Sequence, residues 1–255
     1  MGRILAFLYG VLCYAVFFLV FLYLIGFIAD VGVPKGIDDG AAGTTGIAFV
    51  VDLALIAAFG LQHSIMARAG FKSWLTRRLS PAVERSTFVL ASSVLLVLLF
   101  WQWQPMKSVV WSVSDPMAVG LLWGLYLFGF GMVLASSFII DHFDLFGLRQ
   151  VWLHLLQRRY VHPPFMVTWM YRVVRHPLYA GMLLAFWSAP TMTLGRLVFA
   201  IGMSAYIGIG VRYEERDLVR FIGQDYQRYR ERVPMIVPRP GASHEVVRPR
   251  GTTSG

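Results

Sequence analysis

A chain of 255 residues that is 57% apolar, with a mean hydropathy of +0.60, is too apolar for a water-soluble domain. The net charge of +9 would suit a nucleic-acid partner on a soluble protein. Here the basic residues fall beside apolar segments, where they set membrane orientation, and no nucleic-acid partner is expected. The single cysteine, Cys13, excludes an internal disulfide and a cysteine-based metal cluster.

Several apolar windows are long enough to cross a hydrocarbon core of about 30 Å, which takes about 20 helical residues. The first, about residues 4–28, is too long for a signal-peptide core and has no small-residue cleavage site after it, so it reads as a retained span. A Gly-rich loop with one basic residue, Lys35, leads to a second span over about 45–66. Arg68, Lys72, Arg77, Arg78 and Arg85 then crowd one short loop. A third span covers about 86–103, a sparsely charged loop follows, and a fourth covers about 117–140. The segment 141–176 carries Arg149, Arg158, Arg159, Arg172 and Arg175. Lys and Arg thus alternate between few and many from loop to loop, which places both termini, the 68–85 loop and the 141–176 segment in the cytoplasm. Those regions hold 20 of the 23 basic residues.

After Pro177 the apolar run is short, and Pro190 and Gly195-Arg196 interrupt it. Residues 178–193 and 197–213 are expected to form a tight hairpin entering from the cytoplasm, able to span fully if 190–196 reach the outer interface. Pro177 suits a first helical turn, where its missing N–H would be unpaired anyway. The expected architecture is therefore all-α: a polytopic integral membrane protein with four transmembrane helices over 1–140, then a cytoplasmic segment, helical hairpin and cytoplasmic cap over 141–240. Residues 241–255, rich in Pro, Gly, Ser and Thr, are expected to be a disordered tail.

Several polar groups stand out within this frame. Asp52 lies inside the second span, where a charge is a functional candidate, though it is near enough to the outer end to reach water. Gln62-His63-Ser64 and Asp141-His142-Phe143-Asp144 close two spans on the same side, so His63 and His142 either cap those spans or share a pocket. Gly129-x-Gly131, Gly208-x-Gly210 and Gly120-x-x-x-Gly124 lie within apolar helices and read as close helix packing rather than dinucleotide loops. Trp74, Trp101, Trp103, Trp111, Trp152, Trp169 and Tyr171 cluster near span ends and read mainly as interfacial anchors. Tyr226 and Tyr229 share a helix face downstream of Glu214 and Glu215. Together they either enclose a polar ligand or form a solvated helix with salt bridges.

Arg175-His176-Pro177-Leu178-Tyr179-Ala180-Gly181, two short apolar helices, Glu214-Glu215 and Gly223-Gln224-Asp225-Tyr226-Gln227-Arg228-Tyr229 follow one another in that order. This succession resembles the isoprenylcysteine carboxyl methyltransferase superfamily. Upstream, Gln62-His63-Ser64-x-Met66-Ala67-Arg68, Glu84-Arg85-Ser86-Thr87 and the run His142 to Val151 look like its nurim-type branch, with the bacterial methanethiol S-methyltransferases. The resemblance implies S-adenosylmethionine as cofactor, held without a Rossmann sheet by a transmembrane hairpin and a cytosolic cap. Carried over position by position, Arg175, His176, Tyr179, Gly181, Glu214, Glu215, Tyr226 and Tyr229 become cofactor-pocket candidates. Arg175 is the expected partner of the cofactor's carboxylate, the tyrosines its aromatic contacts, and Gly181 a point of close approach.

The implied reaction is S-methylation of methanethiol, a small-molecule thiol, to dimethyl sulfide in a bacterial inner membrane. No metal is needed and no protein partner is inferred beyond membrane lipid. His63 and His142 are the catalytic candidates, because a thiol titrates well above neutrality and needs a base or a cation. Other readings stay open: another thiol or an isoprenylcysteine carboxyl as acceptor, a haem protein using His63 and His142 as axial ligands, or a non-catalytic nurim-like membrane protein.

Overall fold

The computed structural model describes residues 2–161 and 167–239. A chain in hydrocarbon has to satisfy its own backbone, so the apolar runs fold as helices. Helix α1 spans Arg3–Ala29 and ends at Asp30, whose left-handed backbone turns the chain out of the bundle. Helix α2 spans Thr45–Met66, and a short α3 follows at Ala69–Thr76. Ser80 accepts from the Ala82 N–H and precedes Pro81, the first residue of α4 (Pro81–Gln102). A short strand β1 spans Val109–Ser112. Asp115 accepts from the Ala118 N–H at 2.8 Å and precedes Pro116, which opens α5 (Pro116–Ile140). Both starts pair a side-chain cap with a proline where no N–H is needed.

Asp141 ends α5 and caps the single turn α6 (His142–Leu145) by accepting from the Asp144 N–H at 3.1 Å. Gly147 then turns the chain with φ of +89° into α7 (Leu148–Leu155). A Cβ there would meet the Ser86 backbone nitrogen at 2.8 Å, so both conformation and space require glycine. Helix α8 covers Pro177–Trp187, strand β2 Thr191–Thr193, α9 Leu194–Ile222 and α10 Gln224–Arg232.

The four predicted spans appear close to their expected bounds, and the chain is a polytopic, predominantly helical membrane protein. The hairpin departs from expectation. Its second arm is not a short helix ending near residue 213 but α9, 29 residues long, so five helices among the described residues are long and apolar enough to cross a membrane. Gly195 and Arg196 do not break it, because Thr193 caps the start by accepting from the Arg196 N–H at 3.2 Å. At about 1.5 Å per residue α9 is about 43 Å long, enough to leave the hydrocarbon and carry Glu214 and Glu215 beyond it. The first arm is shorter than expected, 11 helical residues followed by extended chain.

α8 packs along α5, α1 against α4 and α7, and α2 against α4 and α9. The α5–α8 contact is close because Gly129 meets Gly181: a Cβ on either would lie 2.5 Å from the other's carbonyl oxygen. Gly129 thus bears out the packing reading. Gly120, Gly124, Gly131, Gly208 and Gly210 face open space and do not.

One end of the bundle is tied together by polar contacts. β1 pairs antiparallel with β2, placing Trp111 opposite Met192. Arg196 Nε reaches Asp38 Oδ2 at 2.7 Å, and Lys35 Nζ donates to the Trp101 and Trp103 carbonyls at the end of α4. Asp52 is wholly buried rather than near water, and its Oδ1 accepts the Gln104 N–H at 2.9 Å. Trp103 is likewise wholly buried, packed against Phe27 and Phe199 in the main apolar core, and is no interfacial anchor. Leu12, Leu19, Leu121, Phe128, Ile201 and Ile209 stay exposed around the outside, as a lipid-facing surface requires. The expected disordered tail, 241–255, lies outside the described residues.

Candidate active site

At the opposite end, the residues just before α8 form a short backbone pairing with the chain after α10. The Arg175 N–H donates to the Pro234 carbonyl at 2.8 Å and the His176 N–H to Met235 at 3.0 Å. Arg175 Nε donates to Glu215 Oε1 at 2.7 Å, and its Nη1 donates to the carbonyls of Arg230 and Val233. His176 Nε2 lies 3.1 Å from the same Glu215 oxygen. All three side chains are buried, so a single carboxylate holds two basic groups and fixes the cap to α9. Tyr226 and Tyr229 complete this cap core with Val167 and Val233. Tyr229 donates to the Tyr171 carbonyl at 2.6 Å. Both phenols are pushed above their ordinary pKa, chiefly by burial.

Glu214 is the neighbour of Glu215 on a helix and therefore points about 100° away from it. It accepts from the Tyr179 hydroxyl at 2.9 Å and is exposed, with no ion pair among the described residues. Burial, then the charge of Glu214, push the Tyr171 phenol up. Tyr206 precedes Glu214 by eight residues on α9. The sequence reading missed Tyr206; its eight-residue spacing from Glu214 was the available signal.

Tyr206 packs on His63, ring to ring at 6.0 Å. His63 Nδ1 lies 3.2 Å from Ser92 Oγ, and the Ser92 hydroxyl donates to the Phe88 carbonyl. Ser92 therefore accepts, His63 carries its proton on Nδ1, and Nε2 keeps a lone pair with no partner among the described residues. Phe88 packs on the other side of His63 at 4.7 Å, and the Arg85 guanidinium sits 4.9 Å over that same Phe88 ring.

His142 lies elsewhere. Its Nδ1 meets Ser137 Oγ at 2.8 Å, its Nε2 meets the Tyr14 hydroxyl at 2.8 Å, and Phe138 stacks on it at 4.2 Å. Ser137 already donates to the Leu134 carbonyl, so His142 donates from Nδ1 and accepts at Nε2. Burial holds it below the ordinary histidine pKa, against the charge of Asp141. Among the described residues the two histidines share no hydrogen-bonding or ring partner. With both nitrogens engaged, His142 also offers no lone pair for a haem iron.

The structure thus brings Tyr179 to Glu214 and Tyr206 to His63. It gathers Arg175, His176, Glu215, Tyr226 and Tyr229 into the cap. Gly181 serves the α5 contact, and His142 belongs to the α1–α5 junction. A groove of about 430 Å³ between α1 and α7, lined by Phe7, Val11, Leu148, Arg149 and Trp152 among others, contains none of the predicted site residues.

Residues 52–237 match the NnrU protein family. The chain belongs to that family. This NnrU-family protein is 47% identical to a methanethiol S-methyltransferase of Mycobacterium tuberculosis (strain ATCC 25618 / H37Rv), over 94% of its own length and 98% of that protein. It is 46% identical to methanethiol S-methyltransferase 1 of Bradyrhizobium diazoefficiens, over 92% of its length and 83% of that protein. Nurim of Mus musculus is 28% identical over 69% of this NnrU-family chain and 70% of Nurim. No solved structure matches the chain. The resemblance read from residues 45–237 extends over nearly the whole sequence.

Proposed function

We propose that this protein transfers a methyl group from S-adenosylmethionine to methanethiol, giving dimethyl sulfide, at the cytoplasmic end of its helical bundle. The observation that carries the site is Glu214: a carboxylate with no ion pair among the described residues, bonded to the Tyr179 hydroxyl. A negative charge beside a tyrosine ring suits a sulfonium cation, which an aromatic face attracts by about 0.5–1 kcal/mol at an exposed site. The near full-length similarity to methanethiol S-methyltransferases supports the same activity.

The donor supplies an electrophilic methyl on a cationic sulfur. Glu214 and Tyr179 hold that cation. Arg175, with Nε and Nη1 already engaged, holds the cap closed through Glu215 and leaves Nη2 toward other acceptors. His63 receives the thiol proton on Nε2, while Ser92 keeps its Nδ1–H oriented. The acceptor's lone pair forms the new carbon–sulfur bond, and the pair of the broken bond stays on the departing sulfur. Charge is consumed on the way to the transition state, so a site poor in water strengthens the attraction between the reactants.

For topology, we infer both termini on the cytoplasmic side of a bacterial inner membrane. The basic loops favour this orientation. The parity also fits if α8 crosses as half of the hairpin: its helix rises about 16 Å, and three extended residues add about 10 Å. Headspace gas from cells expressing the protein and fed methanethiol should contain dimethyl sulfide above a vector control. Its absence from cells with verified expression would overturn the reading.

A further inference from the structure

Arg85 has no part in the scheme so far. It lies near the start of α4, in the basic loop that the charge pattern alone assigned to topology. Its Nε donates to the Leu145 carbonyl at 2.6 Å, which ties the guanidinium to the corner after α5. Its face covers Phe88, whose ring packs on His63. Among the described residues no carboxylate lies within ion-pair distance of it, and neither Nη has a hydrogen-bond partner. The titratable and charged groups around it are Glu84, Lys72, Asp144, Tyr160, Tyr179 and His63. Asp144 is already shared between Arg149 at 3.5 Å and the Tyr160 hydroxyl at 3.1 Å. Lys72 adds a second cation, held below the ordinary lysine pKa by burial and then by the charge of Arg85.

A half-buried guanidinium with unused donors, beside a candidate base, is suited to an anion. We propose that Arg85 binds the acceptor sulfur as a thiolate, its Nη groups facing the anion while His63 or solvent takes the proton. This rests on the thiol-methylation reading and deepens it, because it assigns the acceptor side of the site. It also separates two tasks: Glu214 faces the cationic donor, and Arg85 faces the anionic acceptor. Phe88 and Tyr206 both pack on His63. Pairing with a fixed cation favours the ionised thiol, so the base at His63 has less to do near neutral pH.

The test uses the purified full-length protein with methanethiol and S-adenosylmethionine. Arg85→Gln should raise KM for methanethiol about 30-fold or more near pH 7, the scale of losing one partner of a desolvated charge pair. Its rate–pH profile should move toward alkaline pH, while S-adenosylhomocysteine affinity by calorimetry stays within about twofold of wild type. Arg85→Lys should fall between the two. Thiocyanate should inhibit the wild type competitively against methanethiol, which tests the site even if neither variant folds. Normal KM and pH profile in an Arg85→Gln protein that binds S-adenosylhomocysteine would overturn the proposal. So would loss of S-adenosylhomocysteine affinity alone, or thiocyanate inhibition that does not compete with methanethiol. A wild type that makes no dimethyl sulfide would instead sink the thiol-methylation reading itself.

Discussion

Arg175 Nε and Glu215 Oε1 lie 2.7 Å apart, and both side chains are more than nine-tenths buried. The pair joins the residues before α8 to the middle of the cap, and His176 shares the same carboxylate oxygen. Removing one partner leaves an uncompensated buried charge. Glu215→Ala or Arg175→Ala should therefore cost about 3–5 kcal/mol of stability, seen as a lower Tm in detergent. Arg175→Lys should not rescue fully, because an ammonium cannot reach Glu215 and two carbonyls in the same fork geometry. A wild-type Tm in Glu215→Ala would contradict this account of the cap.

Glu214 is exposed and makes no comparable network, so Glu214→Gln should leave the Tm nearly unchanged. It should weaken the cationic donor about tenfold or more. The neutral product S-adenosylhomocysteine should lose much less. Calorimetry with both ligands reads the difference. Equal losses would mean that Glu214 recognises the shared ribose or adenine rather than the sulfonium.

Gly181→Ala places a Cβ against the Gly129 carbonyl oxygen at 2.5 Å. Forcing apart two packed helices should cost about 1–3 kcal/mol. The fraction that folds should bind S-adenosylhomocysteine with wild-type affinity. Selective loss of binding at unchanged Tm would return Gly181 to the cofactor pocket.

His142 is held neutral by burial, so its pKa in the folded protein lies below that of the unfolded chain. Between those two values the unfolded state binds more protons. Stability should therefore fall as pH drops through about 6.5 toward the folded pKa, and be fully present above it. His142→Gln should flatten that part of a Tm–pH curve and leave the chemical step largely intact. Persistent loss of turnover at pH 7.5 in a well-folded His142→Gln protein would restore a catalytic role.

The helical spans were legible in the sequence because hydrocarbon imposes one solution on long apolar runs. The third span begins at Pro81 rather than near residue 86, because Ser80 caps a first turn that carries the charged Glu84 and Arg85. The hairpin was misjudged because Gly195-Arg196 looks like a break in isolation. In the structure Thr193 caps α9, and Arg196 is neutralised by Asp38 from a distant loop, a partnership with no local signature. The same limit applies to the site. Tyr179 and Glu214 were identifiable from a resemblance carried by nearby motifs. That Glu214 and Glu215 make different contacts follows only from their 100° separation on a continuous helix. His63 and His142 matched in sequence context and expected depth, yet Ser92 and Tyr206 claim one while Ser137 and Tyr14 claim the other.

The most direct test of the central claim is a single-turnover incubation of purified protein with methanethiol and S-adenosylmethionine bearing a trideuterated methyl group, with headspace mass spectrometry. The account predicts dimethyl sulfide in which one methyl is fully deuterated, formed in proportion to enzyme and lost in Glu214→Gln at limiting donor. Protein that binds S-adenosylhomocysteine yet releases no labelled dimethyl sulfide would contradict it.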